Sequence, residues 1–133
     1  MCDLMTVQLE KICNQVFKSD RKIRYVGILS ETGRLIAGGM RKGVSSLEPM
    51  SEDLRLMANL TIQLSTDKTW DRYFGNTQFT FIKREKVSII VFHIGDKVFL
   101  ISTEPDFPLQ QAQSVRDAVI TAWSQSVQPN RFG

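Results

Sequence analysis

The segment Gly38-Gly39-Met40-Arg41-Lys42-Gly43-Val44-Ser45 comes nearest to a chemical motif in this sequence. A phosphate-binding loop needs glycines whose backbone N–H groups cradle the phosphates, a lysine that reaches them, and a Ser or Thr for magnesium. The glycines and Ser45 are in place, but the lysine position holds Val44. The charge that should reach the phosphates is missing, so the segment reads as the flexible end of a hairpin. His93 is the other group suited to proton transfer. Acid–base work needs a partner within hydrogen-bond reach, and none is evident in the sequence. A ring between Phe92 and Ile94 reads as a packed, hydrogen-bonded group. Phe79 and Phe81, next to Lys83 and Arg84, have the composition of a stacking platform for single strands. The glycines of the RNA-recognition signature are absent, so a core or edge role fits them better. Trp70 and Tyr73 suit interface anchors, or they close the end of a helix. Asn59-Leu60-Thr61 matches the glycosylation pattern but falls inside an apolar helical segment, and is set aside.

No metal centre is expected. One histidine and two cysteines cannot supply the four ligands of a structural zinc site. Cys2 and Cys13, on one helix, would stand about 16 Å apart along its axis, too far for a disulfide. Cys13 falls on an apolar stripe and reads as a small core residue. Two unpaired thiols point to a reducing, cytoplasmic setting. The N-terminus lacks the basic and apolar regions of a signal peptide. The longest apolar run, Val87 to Ile94, is broken by Ser88 and His93 and falls far short of a membrane span.

The 133 residues carry 17 Lys+Arg against 14 Asp+Glu, a formal charge of +3. Both halves are balanced: nine basic and seven acidic groups in residues 1–66, eight and seven in residues 67–133. The densest basic patches are Lys18 to Arg24, Arg41-Lys42 and Lys83 to Lys86, all short. A nucleic-acid protein concentrates its charge in a stripe; these patches read as solvated turns. The length and the 42% hydrophobic content fit one soluble domain spanning 1–133, with its core at about 3–126 and a tail at 128–133.

The positioning elements follow from periodicity. Asp3 to Ser19 reads as a helix capped by Asp3, with Met5, Leu9, Ile12, Cys13 and Val16 on one stripe. Ile23 to Ser30 and Leu35 to Met40 read as a hairpin turned at Gly33, with Gly38-Gly39 suiting a bulge or an edge. Ser51 is placed as the cap of a helix running to about Ser65, extended through Thr66 to Phe74 and stopped at Gly75-Asn76. Three strands follow: Gln78 to Lys83, Lys86 to Ile94 and Lys97 to Thr103, joined at Arg84-Glu85 and Gly95-Asp96. The last two are apolar on both faces, which places them centrally with helices on either side. Asp106 is placed as the cap of a last helix, with Pro108 near its first turn and Leu109, Ala112, Val115, Val119, Ala122 and Trp123 as its stripe. The order is α-β-β-α-β-β-β-α. It predicts an α+β fold of three layers, helices on both faces of a five-stranded antiparallel sheet.

The middle helix carries more apolar surface than one sheet face uses. At 100° per residue its apolar positions, Leu54 through Leu64, spread over roughly 240°, against a little over 100° for a helix on one core. One side can cover the sheet. The side centred on Leu56, Leu60 and Leu64 is read as the one needing a second partner, a second copy of the chain or a segment near Trp70.

The element order resembles the roadblock family of dynein-light-chain and GTPase-regulating domains over about residues 3–126. The stretches that carry the resemblance are Tyr25 to Ala37, the Leu-rich helix from Ser51, and Ile94-Gly95-Asp96-Lys97. The chain is also similar to an archaeal branch of such proteins. The resemblance implies a homodimer through the middle helix and the third strand, with two sheets merged into one. The matching positions are Leu56, Leu60, Leu64, Phe79 and Phe81. It implies a platform for a small GTPase or a larger assembly, and brings no catalytic, cofactor-binding or metal-ligating residue with it. The Lys42-to-Met50 loop and the Thr66-to-Phe74 extension depart from the commoner pattern. The first reading is thus a non-enzymatic homodimeric interaction module with a small GTPase as partner. Its rival is a profilin- or PAS-like sensory domain with a small-ligand cavity near Gly27 and His93. Nucleic-acid binding is a third, weaker reading, and no membrane contact is expected.

Overall fold

The computed structural model describes residues 4–126. Helix α1 (Leu4–Ser19) leads into strands β1 (Ile23–Leu29) and β2 (Leu35–Met40), then helix α2 (Met50–Asp67). A 3-10 turn (Lys68–Trp70) and the one-turn helix α3 (Asp71–Phe74) follow. Strands β3 (Thr80–Lys83), β4 (Ser88–Ile94) and β5 (Lys97–Thr103) and helix α4 (Gln110–Ser126) complete the order. The expected cap Asp3, the thiol of Cys2 and the tail at 128–133 lie outside the described residues.

The strands form one five-stranded antiparallel sheet in the order β2-β1-β5-β4-β3. The apolar strands β4 and β5 lie inside the sheet, as their two-faced pattern requires. Helices α1 and α4 cover one face: Leu9, Ile12 and Val16 join Val115 and Val119 over Val26, Ile90, Phe99 and Ile101. Phe92 and Phe99 are directly paired in register, and their rings stack at 5.4 Å with an interplanar angle of 3°. Trp123 of α4 meets Phe99 edge-on at 5.9 Å. Helix α2 covers part of the other face, with Met57, Leu60 and Leu64 over Leu29, Ile89, Val91, Val98 and Leu100. The architecture is the expected α+β sandwich of helix, sheet and helix.

Several local expectations are corrected. Ser51 does not cap α2: the helix starts one residue earlier behind Pro49, whose carbonyl accepts from the N–H groups of Glu52 and Asp53. Proline's fixed φ suits it to that boundary. Asp106 does not cap α4. Its carboxylate accepts from Lys22 Nζ at 3.0 Å, while Phe107 N–H turns back to Glu104 O and buries its ring. That turn delays α4 to Gln110 and leaves Leu109 exposed rather than on the stripe. Strand β3 starts at Thr80 rather than Gln78, and Lys86 and Val87 belong to a turn closed by Arg84 N–H to Val87 O.

Arg41 is not a solvated turn residue. Its Nε–H donates to Ile23 O, and Nη2 donates to Phe17 O and Asp20 O, each at 2.7 Å. Its guanidinium also lies over the Phe17 ring at 5.0 Å. The bonds to Phe17 O and Asp20 O satisfy carbonyls at the C-terminal end of α1, where a cation is favoured.

Candidate interaction surface

The apolar arc of α2 is split between two environments, but its sides are exchanged relative to the sequence reading. Leu60 and Leu64, at 5% and 6% exposure, face the sheet, while Leu54 and Ile62 stand open at 61% and 64%. Met57, Leu60 and Leu64 recur at i, i+3 and i+7 and give a continuous ridge of large side chains. The Leu54-Ala58-Ile62 row is interrupted by a small residue, and that gap is used by the first hairpin. A Cβ on Gly33 would stand 3.2 Å from Ala58 Cα and 3.3 Å from Met57 O. The hairpin turn thus sits directly on the helix backbone, and glycine at φ 87° permits it.

Farther along, Leu60 and Leu64 approach Thr80 and Val91 across a gap of about 30 Å³. Helix α2 therefore crosses the sheet from the β1–β2 turn to the start of β3. Toward the opposite ends of the strands it leaves a cleft of about 1640 Å³. Tyr25, Ile82, Ile89 and Leu100 floor it; Leu56, Glu52 and Asp53 of α2 and Leu47 and Glu48 of the preceding loop form one wall. The other wall is the β3–β4 turn with Lys83, Arg84 and Lys86. The α2 wall carries Arg55 paired to Glu52 beside Asp53 and Glu48, the turn carries Glu85 among its three cations, and the floor is largely apolar.

Tyr25 is the floor's polar exception. Its hydroxyl is buried with no hydrogen-bond partner among the described residues. Burial raises its pKa above the ordinary tyrosine value, and the charges of Asp53, Cys13 and Glu48 add to the shift. Asp53 is pushed up to about 6, by desolvation first and then by its hydrogen bond to Glu48 and that group's charge. Two carboxyls this close favour holding a proton between them. Arg24 fixes the loop beside them, with Nη2 donating to Ser45 O and Nη1 bonded to Glu104 Oε2, both at 3.1 Å. Lys83 Nζ donates to Pro105 O at the same end of the sheet.

The residues singled out in the sequence are dispersed over the molecule. Leu56 and Leu60 line the cleft, and Leu64 borders the smaller gap. Phe79 and Phe81 pack on the opposite face, against the core under α1 and α4. The near-motif at Gly38 to Ser45 is the end of edge strand β2 and its exit, and Gly38 N–H donates to Glu10 Oε2 at 3.2 Å. His93 is half-buried at the end of β4, paired with Val98 and outside the cleft lining. Among the described residues, no three His, Cys, Asp or Glu groups converge on a metal position. Sequence reasoning missed Tyr25 and the Glu48–Asp53 pair. The alternation of Tyr25 and Gly27 on one face of β1 was the available signal.

The family model that matches, over residues 1–125, is described as a family of unknown function (DUF6659). No curated protein matches the chain in sequence. Among solved structures, the chain is similar to the gliding protein MglB from Thermus thermophilus. The TM-score is 0.77 at 10% identity, covering 97% of this chain and 96% of that one. The Roadblock/LC7 domain from Streptomyces avermitilis gives 0.67 at 9% identity over 90% and 98%. A Schizosaccharomyces pombe profilin gives 0.60 at 12% identity over 87% and 96%. These likenesses show a roadblock-like fold, the one the resemblance implied.

Proposed function

We propose that this chain, which belongs to that family of unknown function, is a homodimeric protein-interaction module that scaffolds or regulates a small GTPase without catalysing a reaction itself. The observation that carries the reading is the incomplete cover of one sheet face. Helix α2 leaves beside it a cleft with a largely apolar floor and walls lined by charged side chains. Its volume of about 1640 Å³ exceeds the roughly 300–1,000 Å³ of small-molecule sites, and suits a polypeptide segment better than a metabolite. The roadblock resemblance supplies the partner class and the dimer, through α2 and edge strand β3. Leu56 then meets the second copy from the cleft wall, Leu60 and Leu64 support it from the sheet side, and Phe79 and Phe81 brace the β3 edge. The reducing interior of the cell is the setting consistent with a buried, unpaired Cys13.

The rival sensory reading rests on the unpartnered Tyr25 hydroxyl, which a small polar ligand would satisfy. Light scattering and affinity capture separate the two. The wild type should be a dimer, and Leu56→Glu, at a half-buried position on the cleft wall, should be a monomer that still folds. Capture on the wild type should recover a small GTPase whose retention depends on its bound nucleotide. A wild type that stays monomeric at high concentration removes the dimer. A co-purifying small molecule that Tyr25→Phe fails to retain transfers support to the sensor.

A further inference from the structure

The three basic patches that stand apart in the sequence meet at one end of the sheet. In the antiparallel order, β1 and β4 begin at that end, and β2, β3 and β5 finish there. The α1–β1 turn, the exit from β2 and the β3–β4 turn therefore lie at the same end. Hydrogen bonds tie them together. Arg41 of the second patch donates to Phe17 O and Asp20 O beside the first. Lys22 of the first donates to Asp106, and Lys83 of the third donates to the adjacent Pro105 O, its charge also reaching Asp106.

The acids at this end do not cancel the cations. The patches hold nine Lys and Arg, against Asp20, Glu48, Glu85, Glu104 and Asp106. The rest of the chain holds eight cations against nine acids, so the positive surplus is local. Glu104 and Asp106 are paired with Arg24 and Lys22, Asp20 accepts from the Lys22 N–H, and Glu48 is half-buried against Asp53. Farther on, Glu52 is paired with Arg55. Lys18, Arg21, Lys42, Arg84 and Lys86 are exposed and make no ion pair among the described residues; one exposed, unpaired acid, Glu85, stands among them. β2 and β3 are the two edges of the sheet, so these cations span about 19 Å, four strand spacings.

We infer that this end of the sheet is a peripheral contact for an anionic phospholipid surface. Two exposed leucines favour lipid over nucleic acid. Leu47, in the loop that Arg24 pins through Ser45 O, is 59% exposed, and Leu109, three residues past Asp106, is 55% exposed. An apolar side chain among cations enters the boundary between headgroups and acyl chains, and gains nothing from a phosphodiester backbone. Base stacking needs exposed rings, and Trp70, Tyr73 and Phe74 follow α2 at the other end, where β3 begins. Among the described residues no helix is long and apolar enough to cross a membrane, so the contact is with one leaflet only. The expectation of no membrane contact counted each patch separately; the fold adds them.

Co-sedimentation of the full chain with vesicles tests the contact, independently of the homodimer. The chain should bind phosphatidylcholine vesicles doped with about one-third phosphatidylglycerol, release them as salt rises, and ignore pure phosphatidylcholine. Removing one cation should weaken binding about fivefold, the equivalent of about 1 kcal/mol, so Arg21→Gln with Lys86→Gln should weaken it roughly 25-fold. Arg34→Gln with Lys68→Gln removes the same charge at exposed positions outside the patches and should leave binding unchanged. Equal losses in the two pairs, or no binding to the doped vesicles, overturn the inference. Leu47→Ser with Leu109→Ser should weaken vesicle binding at the same salt dependence. Vesicle binding that ignores both leucines, or tighter binding to duplex DNA than to the vesicles, overturns the assignment to lipid.

Discussion

The ring of Tyr25 lies across Gly27, so that a Cβ at Gly27 would stand 2.7 Å from both the Tyr25 hydroxyl and its Cε1. The two residues occupy alternate positions of β1 and share the face that floors the cleft. Gly27→Ala should therefore force the ring off its seat and destabilise the chain by about 1–3 kcal/mol, the usual range for overpacking. In a Tyr25→Leu background the same change should cost much less, since contacting residues are not additive. Urea denaturation of the four chains of this cycle measures the coupling. Equal penalties in both backgrounds would show that the ring is not what excludes a side chain at Gly27.

The hydroxyl itself leads to a second expectation. A buried polar group without a partner costs about 1–3 kcal/mol, and Tyr25 Oη is such a group. Tyr25→Phe should leave stability unchanged or raise it by up to about 1 kcal/mol, where losing a satisfied hydroxyl would lower it. A clear loss in the same denaturation experiment would show that the hydroxyl is paired in solution.

Asp53 gives the fold a pH dependence of definite sign. The folded chain holds its carboxyl at about 6 against an ordinary 3.8, so the folded state binds the proton more tightly than the unfolded chain. This contribution is most favourable below 3.8, declines as pH rises toward 6, and is fully lost above it. Asp53→Asn should abolish that decline and make the variant relatively more stable at pH 7 than at pH 4.5. Asp106 runs the other way: its hydrogen bond to Lys22 Nζ holds it below the usual carboxylate range. Its contribution is present at neutral pH and fades only in stronger acid, so the two windows separate. Denaturant midpoints from pH 4.5 to 7.5 decide the matter, and parallel curves for wild type and Asp53→Asn would refute it.

What could be read from the sequence was whatever is periodic. The near-continuous apolar run of Val87 to Ile94 announced a strand covered on both faces, and the stripe through Leu9, Ile12 and Val16 announced α1, because burial imposes these patterns residue by residue. The width of the apolar arc on α2 was legible for the same reason. Which side of it meets the sheet was not. That choice depends on Gly33 arriving from a different hairpin to sit on Ala58, a contact between segments 25 positions apart. The roles of Arg41 and Asp106 were hidden likewise, since each is set by partners brought close only by the fold. The cleft is a gap between elements and leaves no periodic trace.

Gly38 and Gly43 separate conformational strain from lack of space. Both have positive φ, 99° and 83°. A Cβ on Gly38 would stand 2.0 Å from Val26 O and 3.1 Å from Cys13 Sγ, whereas one on Gly43 would meet nothing within 4 Å. Gly43→Ala should cost about 1–2 kcal/mol, the penalty for an L side chain in this region. Gly38→Ala adds a collision with the backbone of β1, which cannot yield without breaking the β1–β2 ladder where Gly27 pairs with Gly38. It should exceed the Gly43 penalty by at least about 2 kcal/mol. Thermal or urea unfolding of the two variants tests this, and a similar loss in both would mean that φ alone, and not the approach of β1, requires glycine at Gly38.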